Sequence, residues 1–370
     1  MRPDARAQSA IEILDEWLGS VAGLDRTLTR WARGNRFAGS KDRAAIADLV
    51  YGVVRRLRSS AWISGCDPGG SQPVGRQLLL GSLVLDGVDP ELCFTGAKYA
   101  PEKLTAYERT IEAPLEQAPR AIRLDYPDWL DQHLADVADA DLEALRSRAP
   151  LDLRVNSLKA SVAQATVALA ADGIEVQDLA SQPLALRVTV GERKVAGSTA
   201  YKTGLVEIQD VGSQGLSTLA ETQPKEVVID LCAGGGGKAL AIAAQSAGLA
   251  RIYAYDISLK RMAAIPERAE RAGVEIELLT KDDLAQMAGK ADLVFLDAPC
   301  SGSGAWRRNP DAKWRLTPER LSELTRMQSE LLYQATGLCR PGGRIVYGTC
   351  SILRAENQMQ TEAFSQKLTN

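Results

Sequence analysis

Histidine is almost absent from this sequence, which contains only one, His133, among its 370 residues. A metal site built from several histidines is therefore excluded, and no metal is expected. A serine–histidine or cysteine–histidine catalytic pair would have to use His133, which the surrounding pattern places on a helix as a surface or half-buried side chain. Acid–base chemistry would then depend on carboxylates and lysine.

Long apolar runs and paired cysteines are missing as well. The first residues, Met1–Arg6, are charged and are not followed by an apolar run, so no signal peptide is expected. No stretch reaches the roughly 18 apolar residues that cross a bilayer. The six cysteines are scattered without a C-x-x-C pair, so neither a disulfide framework nor a zinc site is indicated. We therefore expect a cytoplasmic protein with reduced thiols and no membrane partner.

Charge of either sign is present without a strong excess. The formal net charge of −3 argues against non-specific coating of nucleic acid, although it says little about a local basic site. The hydrophobic content of 45% and the charged content of 25% are ordinary for a globular protein. Since 370 residues are too many for one ordinary core, two or three domains are expected.

Three regions of different character follow one another along the chain. Residues 1–122 place apolar residues at helical spacing, most clearly in Ala10–Leu18 and Asp42–Leu57. Residues 123–218 combine strand-like alternation with one helix, which indicates a small α+β unit. Residues 219–370 alternate short apolar strands with helices, and this alternation predicts a doubly wound α/β fold with a parallel sheet.

A glycine-rich loop follows the first strand of the third region and precedes a helix. It consists of Cys232, Ala233, Gly234, Gly235, Gly236, Gly237 and Lys238. Glycines let the backbone approach a ligand, and Asp256, at the end of the next strand, lies where a carboxylate binds the ribose of a nucleoside cofactor. The loop lacks the Walker A pattern and fits a dinucleotide fingerprint badly. S-adenosylmethionine suits it better, and a plain strand–helix turn is the remaining alternative.

Two cysteines follow separate strands of the same region. Cys300 lies in Asp297-Ala298-Pro299-Cys300-Ser301-Gly302, and Cys350 lies in Thr349-Cys350-Ser351. In an open α/β sheet, the chemistry takes place outside the carboxyl ends of the strands. Two thiols at that edge, one of them close to a carboxylate, indicate covalent catalysis by a thiolate. The alternative is burial, because free cysteine is a common core residue.

The segment Trp306–Arg315 combines basic and aromatic residues. It carries four basic residues, one acidic residue and two tryptophans. Basic side chains pair with phosphates, and tryptophan or arginine planes stack on unpaired bases. The segment therefore predicts RNA contact through Arg307, Arg308 and Lys313, or else a surface loop anchored by its tryptophans.

Taken together, these residues resemble the RNA cytosine-5 methyltransferases, and most closely the bacterial 16S ribosomal RNA branch with a NusB-like amino-terminal domain. The resemblance covers almost the whole chain and is carried by Gly236-Gly237-Lys238, Asp256, Pro299-Cys300, Arg308–Asp311, Thr349-Cys350-Ser351, Glu356-Asn357, Leu153–Lys159 and Gln209–Gln214. It implies a NusB-like helical domain over residues 1–122, a small α+β RNA-recognition subdomain over 123–218, and a Rossmann-like methyltransferase domain over 219–370.

The resemblance implies ligands for several of these positions. S-adenosylmethionine would bind to the glycine loop, to Asp256 and Asp297, and on its adenine side to Asp282, with Asp283 as the alternative. RNA, with ribosomal RNA as the first choice, would be the partner. Arg154 and Asn156 would bind it, because the family uses the small domain for that purpose.

The catalytic roles are also implied by the resemblance. In the RNA family the second cysteine attacks, so the Cys350 thiolate would add to carbon 6 of cytosine. Cys300 would assist proton removal and release of the product. Asp297 would hold or protonate the base, and Lys238 would stabilise the thiolate or the base carbonyl.

Other readings stay open. DNA cytosine-5 methyltransferases normally have glutamine where Ser301 follows Cys300, and they lack the second cysteine found at Cys350. A transfer RNA could replace ribosomal RNA as the substrate. An RNA-binding assembly factor with a decayed methylation site is the other alternative. It is favoured by Gly234-Gly235, where the family usually has Ala-Pro, and by the end of the chain at Asn370, before an expected last strand.

Overall fold

The computed structural model of the chain describes residues 1–66, 72–111 and 113–369. Its helices, numbered in chain order, are α1 (Pro3–Leu18), α2 (Leu24–Gly34), α3 (Ser40–Arg55), α4 (Leu57–Ile63), α5 (Gly75–Leu85), α6 (Ala106–Arg109), α7 (Arg120–Arg123), α8 (Asp139–Ala144), α9 (Val162–Ala171), α10 (Thr199–Lys202), α11 (Val211–Thr218), α12 (Gly237–Gln245), α13 (Leu259–Met262), α14 (Ile265–Ala272), α15 (Lys281–Gln286), α16 (Pro310–Arg315), α17 (Pro318–Leu338) and α18 (Gln358–Thr369). Its strands are β1 (Asp152–Val155), β2 (Glu175–Asp178), β3 (Ala185–Val190), β4 (Val206–Ile208), β5 (Val227–Asp230), β6 (Arg251–Ala254), β7 (Ile276–Leu278), β8 (Ala291–Asp297) and β9 (Cys339–Gly348). Among these helices, none is both long enough and apolar enough to cross a membrane.

The chain folds into two compact units. The first comprises Met1–Ala149 and Gly302–Pro318, and the second comprises Pro150–Ser301 and Glu319–Asn370. The first unit is helical, whereas both sheets belong to the second. The two sheets share one compact unit. The domain boundaries predicted after residues 122 and 218 therefore stay a prediction.

The first unit is built around one apolar core. Its helices place apolar residues three and four positions apart, and these side chains meet in the interior. Fully buried examples are Leu14 of α1, Val50 of α3 and Leu79 of α5. Trp314 of α16 packs against the same core, so the distant segment 302–318 completes this unit.

A four-stranded antiparallel sheet opens the second unit, with the strand order β2-β3-β1-β4. Helix α9 covers it and begins at a capping box, in which Ser161 and Gln164 bind each other's backbone N–H groups. Leu153 and Val155 of β1 are buried with Leu169 of α9. The small α+β unit expected from the sequence is therefore present, with β4 as an additional edge strand.

The parallel sheet has the order β7-β6-β5-β8-β9, and all of its neighbouring strands are parallel. Alternating residues of β5 and β8 face opposite layers: Ile229 and Val294 pack with Leu332 of α17, while Val228 and Phe295 pack with α12. Because helices cover both faces, the predicted doubly wound α/β fold is confirmed. The strand order reverses beside β5, which places a ligand crevice at the carboxyl ends of β5 and β8.

Two elements of this sheet region differ in extent from the sequence prediction. The pattern over Ser258–Ala272 predicts one helix, but the structure has α13 and α14 with a break between them. Pro266 lies in the first turn of α14, where a missing N–H is tolerated, whereas the interior of a continuous helix would lose a hydrogen bond. Strand β9 extends well before the predicted Arg344–Val346, back to Cys339.

Candidate active site at the carboxyl edge of the parallel sheet

The glycine loop joins β5 to α12 and has an unusual backbone. Gly234 and Gly236 have φ values of +52° and +78°, a region that side chains other than glycine rarely adopt. A Cβ at Gly236 would also lie 2.8 Å from the side chain of Ile265. Helix α12 begins directly after this turn, so the N–H groups of its first turn have no intrahelical acceptors. The loop is thus shaped to bring backbone donors close to a ligand.

Asp256, just past the end of β6, holds the loop from the side. Its buried carboxylate accepts hydrogen bonds from Gly234 N over 3.0 Å and from Ser258 N over 2.9 Å. An ion pair of 3.0 Å joins the same carboxylate to Arg261. A carboxylate offers about four lone-pair sites, so further donors such as ribose hydroxyls can still bind.

Asp230, at the end of β5, is a functional candidate in addition to the residues predicted from the sequence. The side chain is fully buried, and within the described residues neither carboxyl oxygen has a hydrogen-bond partner. Burial, assisted by the nearby charge of Asp297, raises the pKa of Asp230 to about 7. An unpaired buried carboxyl is costly, and a bound molecule with polar groups would satisfy it. The available signal was an acidic residue two positions before the glycine loop.

The four predicted catalytic residues come together at this edge. Sγ of Cys300 lies 3.3 Å from Sγ of Cys350. Beside them, Nζ of Lys238 donates to Oδ2 of Asp297 over 2.6 Å. A hydrogen bond from Cys300, helped by the charge of Lys238, holds the pKa of Cys350 below its usual range against the opposing effects of burial and Asp297. The lowered pKa favours the thiolate form of Cys350.

The loop that carries Cys300 is held by Glu356, whose side chain is fully buried. The Glu356 carboxylate accepts hydrogen bonds from the backbone N of Ser301 over 2.8 Å, from the Ser301 hydroxyl, and from Gln328 Nε2 over 3.1 Å. Gln328 also donates to Pro299 O over 2.8 Å. Both residues that flank Cys300 are thereby fixed.

The loop that carries Cys350 is held by the next residue, Asn357. Its Oδ1 accepts from the Thr349 hydroxyl over 2.7 Å, and its Nδ2 donates to Ser351 O and Leu353 O over 2.9 and 3.1 Å. Glu356 and Asn357 thus fix one cysteine loop each. Their positioning role was missed in the sequence, although two adjacent polar residues soon after a strand end carried a signal.

Two predicted cofactor-binding residues are in contrasting surroundings. Burial raises the pKa of the Cys232 thiol to about 12, so this cysteine stays protonated and can line the loop without reacting. Asp282 is exposed in the first turn of α15, just beyond β7. Its neighbour Asp283 is used as a helix cap, because its carboxylate accepts from the backbone N and hydroxyl of Thr280. Cofactor contact by Asp282 stays a prediction.

Arg154 and Asn156, which were predicted to bind RNA, are buried in the second unit. Arg154 Nε donates to Gln209 Oε1 over 2.6 Å. Asn156 Nδ2 donates to Gly204 O and Ala272 O over 3.1 and 2.8 Å. These contacts give both side chains a structural role, and their contact with RNA stays a prediction.

The predicted RNA segment after Cys300 belongs to the first unit. Lys313 is buried there, donates to Arg55 O over 3.1 Å and lies 4.6 Å from the ring centre of Trp314. Burial lowers the pKa of Lys313 to about 8, so its ammonium stabilises the segment internally instead of presenting a surface charge. Arg308 is exposed and Arg307 is half-buried, and RNA contact through these two stays a prediction.

The chain is similar to known methyltransferases over most of its length. A family model described as 16S rRNA methyltransferase RsmB/F matches residues 217–370, and one described as the ferredoxin-like domain of RsmF/B-like methyltransferases matches residues 126–193. The ribosomal RNA small subunit methyltransferase B of Sodalis glossinidius is 31% identical over 353 residues, which cover 88% of this chain and 81% of that protein. The protein of the same name from Xylella fastidiosa is 32% identical over 349 residues, which cover 88% and 82%.

A solved structure also shares the fold. The crystal structure of PH0851 superposes with a TM-score of 0.72 and covers 99% of this chain and 90% of that chain. The identity is 23%, so this likeness concerns the fold.

Proposed function

The chain belongs to the 16S rRNA methyltransferase RsmB/F family, and from this membership we propose that it methylates carbon 5 of a cytosine in 16S ribosomal RNA. The methyl donor in this proposal is S-adenosylmethionine. Cys350 forms a temporary covalent bond with the base. The observation that supports this chemistry most strongly is the pair of thiols, 3.3 Å apart, beside the Lys238–Asp297 ion pair.

The residues at the sheet edge fit the proposed cofactor. When bound, S-adenosylmethionine would supply an electrophilic methyl group to carbon 5, its sulfonium–methyl bond would break, and S-adenosylhomocysteine would be left. The glycine loop offers close backbone approach, Asp256 offers acceptor sites for ribose hydroxyls, and Asp230 offers a buried carboxyl without a partner. We assign Cys232–Lys238, Asp256 and Asp282 to holding this group, with Asp297 at the same edge.

The first chemical step is addition of the Cys350 thiolate to carbon 6 of the cytosine. Carbon 5 of the free base is a poor nucleophile. The new sulfur–carbon bond moves the electrons of the 5,6 double bond into an enamine, which makes carbon 5 nucleophilic. The lowered pKa of Cys350 favours this step because it increases the thiolate fraction at neutral pH.

Asp297 and Lys238 act on the charge that the addition creates. Electron density flows toward the ring nitrogen and the carbonyl of the base, and Asp297 holds or protonates that nitrogen. Lys238 is hydrogen-bonded to Asp297 and fixes its carboxyl group while adding a positive charge to the site. This arrangement favours the adduct over the free base.

The last step restores the aromatic ring and frees the enzyme. Removal of the proton from the methylated carbon 5 leaves an electron pair that re-forms the 5,6 double bond. The sulfur–carbon bond breaks at the same time, and Cys350 leaves as a thiolate. Cys300 is the group next to that bond, and we assign it to proton removal and release: its own thiol proton first passes to water, and the Cys300 thiolate then accepts the proton from carbon 5.

The test is methyl transfer from labelled S-adenosylmethionine into protein-free 16S ribosomal RNA, beside total transfer RNA. We expect label in 5-methylcytosine of the ribosomal RNA, and we expect Cys350→Ala to abolish it. Label in transfer RNA would keep the chemistry and change the substrate. If no RNA is labelled and no cofactor is bound, the proposal is wrong and an RNA-binding assembly factor takes its place.

A further inference from the structure

Gln209, which follows the edge strand β4 of the small sheet, reaches the glycine loop. Its Nε2 donates to Gly237 O over 3.2 Å, and its Oε1 accepts from Nε of Arg154 over 2.6 Å. Both side chains are buried. An arginine can only donate, so it fixes the amide with the oxygen toward Arg154 and the NH₂ group toward the loop. Burial lowers the pKa of Arg154 to about 10, which still leaves it charged at neutral pH.

A second connection starts from Glu207 in β4. Its buried carboxylate forms ion pairs of 3.2 Å with Arg268 and 2.8 Å with Arg271, both on α14. Arg268 in turn donates from Nη1 to the carbonyl of Gly235. The edge of the small sheet thus reaches two carbonyls of the glycine loop by independent routes.

The helix that carries these arginines is itself attached to the small sheet. Lys159 Nζ donates to Arg271 O over 2.6 Å, and Asn156 Nδ2 donates to Ala272 O over 2.8 Å. The last carbonyls of a helix have no intrahelical partners, so these contacts cap α14. At Gly204 the approach is so close that a Cβ would lie 2.0 Å from Arg271 O.

We propose that the small sheet contributes to the cofactor site. Gln209 and Glu207 are positioning residues that fix the glycine loop in its ligand-binding conformation. They act through the carbonyls of Gly237 and Gly235 and do not touch the cofactor. This inference rests on the proposed use of S-adenosylmethionine.

The need for such positioning follows from the loop itself. Four consecutive glycines, 234–237, have no side chains that could restrict the backbone, and each has a large conformational entropy to lose. Restraints that act on the carbonyls from outside remove that freedom before a ligand arrives. Preorganisation of this kind raises affinity without adding a contact to the ligand.

The experiment compares three single variants of the full chain with the wild type. Gln209→Glu replaces the NH₂ donor to Gly237 O by an acceptor and keeps a partner for Arg154. Glu207→Gln removes the charge that holds Arg268. Ile208→Thr is the control, because Ile208 lies between them, is 38% exposed and points to the opposite face of β4. Melting temperatures check that each variant folds.

Two measurements are made on each protein. Isothermal titration gives the Kd for S-adenosylhomocysteine, and amide hydrogen exchange of the ligand-free protein reports on the segment 233–238. We expect Gln209→Glu and Glu207→Gln each to raise the Kd about five- to tenfold, which is the effect of one buried hydrogen bond. We also expect both variants to speed amide exchange in this segment. Filter binding to a 16S ribosomal RNA fragment should stay within about twofold of wild type, as should both measurements on Ile208→Thr.

Several outcomes would overturn the inference. Unchanged Kd and unchanged exchange in both variants would show that the loop needs no support from β4. A loss of RNA affinity with an unchanged Kd would make these residues RNA-binding residues instead. If the wild type itself does not bind S-adenosylhomocysteine, the proposed function fails, and the exchange measurement alone decides whether β4 orders the loop. If Glu207→Gln does not fold, the measurements on Gln209→Glu alone decide the outcome.

Discussion

Single side chains at the sheet edge have properties that their neighbours impose. The pKa of Cys350 is lowered, which favours its thiolate, whereas the pKa of Asp230 is raised, which favours its neutral carboxyl form. Opposite electrostatic requirements can be met in one site because a hydrogen bond acts on Cys350 while burial dominates at Asp230. Perturbed pKa values gathered in one crevice are typical of functional sites.

We predict that alkylation of Cys350 by iodoacetamide reaches its plateau at a lower pH than alkylation of a free cysteine. The Cys300 hydrogen bond is the main reason, so Cys300→Ala should move the midpoint to higher pH, whereas Cys300→Ser should largely preserve it. Mass spectrometry of the Cys350 peptide across a pH series measures both midpoints. Identical midpoints in wild type and Cys300→Ala would show that the pair does not activate Cys350.

Asp230 should make the stability of the protein depend on pH. Its folded pKa of about 7 lies above the unfolded value, so the folded state binds the extra proton, and stability is lost as pH rises from about 4 to about 7. Asp230→Asn removes this loss and should be stabilised relative to wild type by on the order of 4 kcal/mol at most above pH 7. Urea unfolding at pH 5 and pH 8 measures the difference. A difference that does not grow with pH would contradict the assignment.

Secondary-structure elements determine where these groups meet. The parallel pairing of β5, β8 and β9 aligns Asp230, Asp297 and Gly348 at one edge. Turns after the strands then bring the cysteines together, and Glu356 and Asn357 fix those turns. Precision in this site therefore depends on loops held by buried hydrogen bonds.

The two glycines at the start of α12 should differ sharply in their tolerance of alanine. Gly236→Ala adds a Cβ at φ +78° and 2.8 Å from Ile265, whereas Gly237→Ala adds one at an ordinary 3.6 Å from Arg268. We expect Gly236→Ala to lower the free energy of unfolding by about 1–3 kcal/mol and Gly237→Ala to leave it almost unchanged. Urea titration of both variants is the check. Equal effects would mean that the turn is not strained.

Loss of the Glu356 carboxylate should release the Cys300 loop. Glu356→Ala leaves the buried N–H of Ser301 without an acceptor and the amide of Gln328 with Pro299 O alone, so we expect a stability loss of about 2 kcal/mol. The kcat for methyl transfer should fall about tenfold to a hundredfold, because small displacements of reacting groups are costly. The control is Glu362→Ala on α18, where the side chain is exposed. An unchanged kcat in Glu356→Ala would show that the hydrogen bonds of Glu356 are not needed to position Cys300.

At the scale of the whole molecule, the first compact unit is discontinuous in sequence. Asp311 accepts hydrogen bonds from Trp17 Nε1 over 2.7 Å and from Leu24 N over 3.2 Å, and Trp314 Nε1 donates to Val54 O over 2.7 Å. Residues 302–318 therefore complete a unit whose other part is residues 1–149. The loop that carries Cys300 continues along the chain directly into residues 302–318.

The sequence predicted most of what local patterns control. Helical spacing and short apolar runs predicted the parallel sheet and its helices, and the positions of Cys300 and Cys350 after strands predicted that both thiols lie at one end of the sheet. The ion pair between Lys238 and Asp297 was not predicted. Contacts between residues distant in sequence were not predictable. Lys313, for example, has the sequence surroundings of a surface lysine, but it is buried against Arg55 and Trp314. Strand β4, with three residues, is too short to produce a pattern, and the links from β4 to the glycine loop were hidden for the same reason.

The central claim, a covalent bond between Cys350 and the cytosine, is tested most directly by trapping the adduct. Cys300→Ala is incubated with 16S ribosomal RNA and S-adenosylmethionine, separated under denaturing conditions and mapped by mass spectrometry. We predict that an RNA–protein adduct accumulates with the nucleotide on Cys350, and that the double variant Cys300→Ala/Cys350→Ala forms none. Normal turnover by Cys350→Ala, or an adduct that persists in the double variant, would contradict the account.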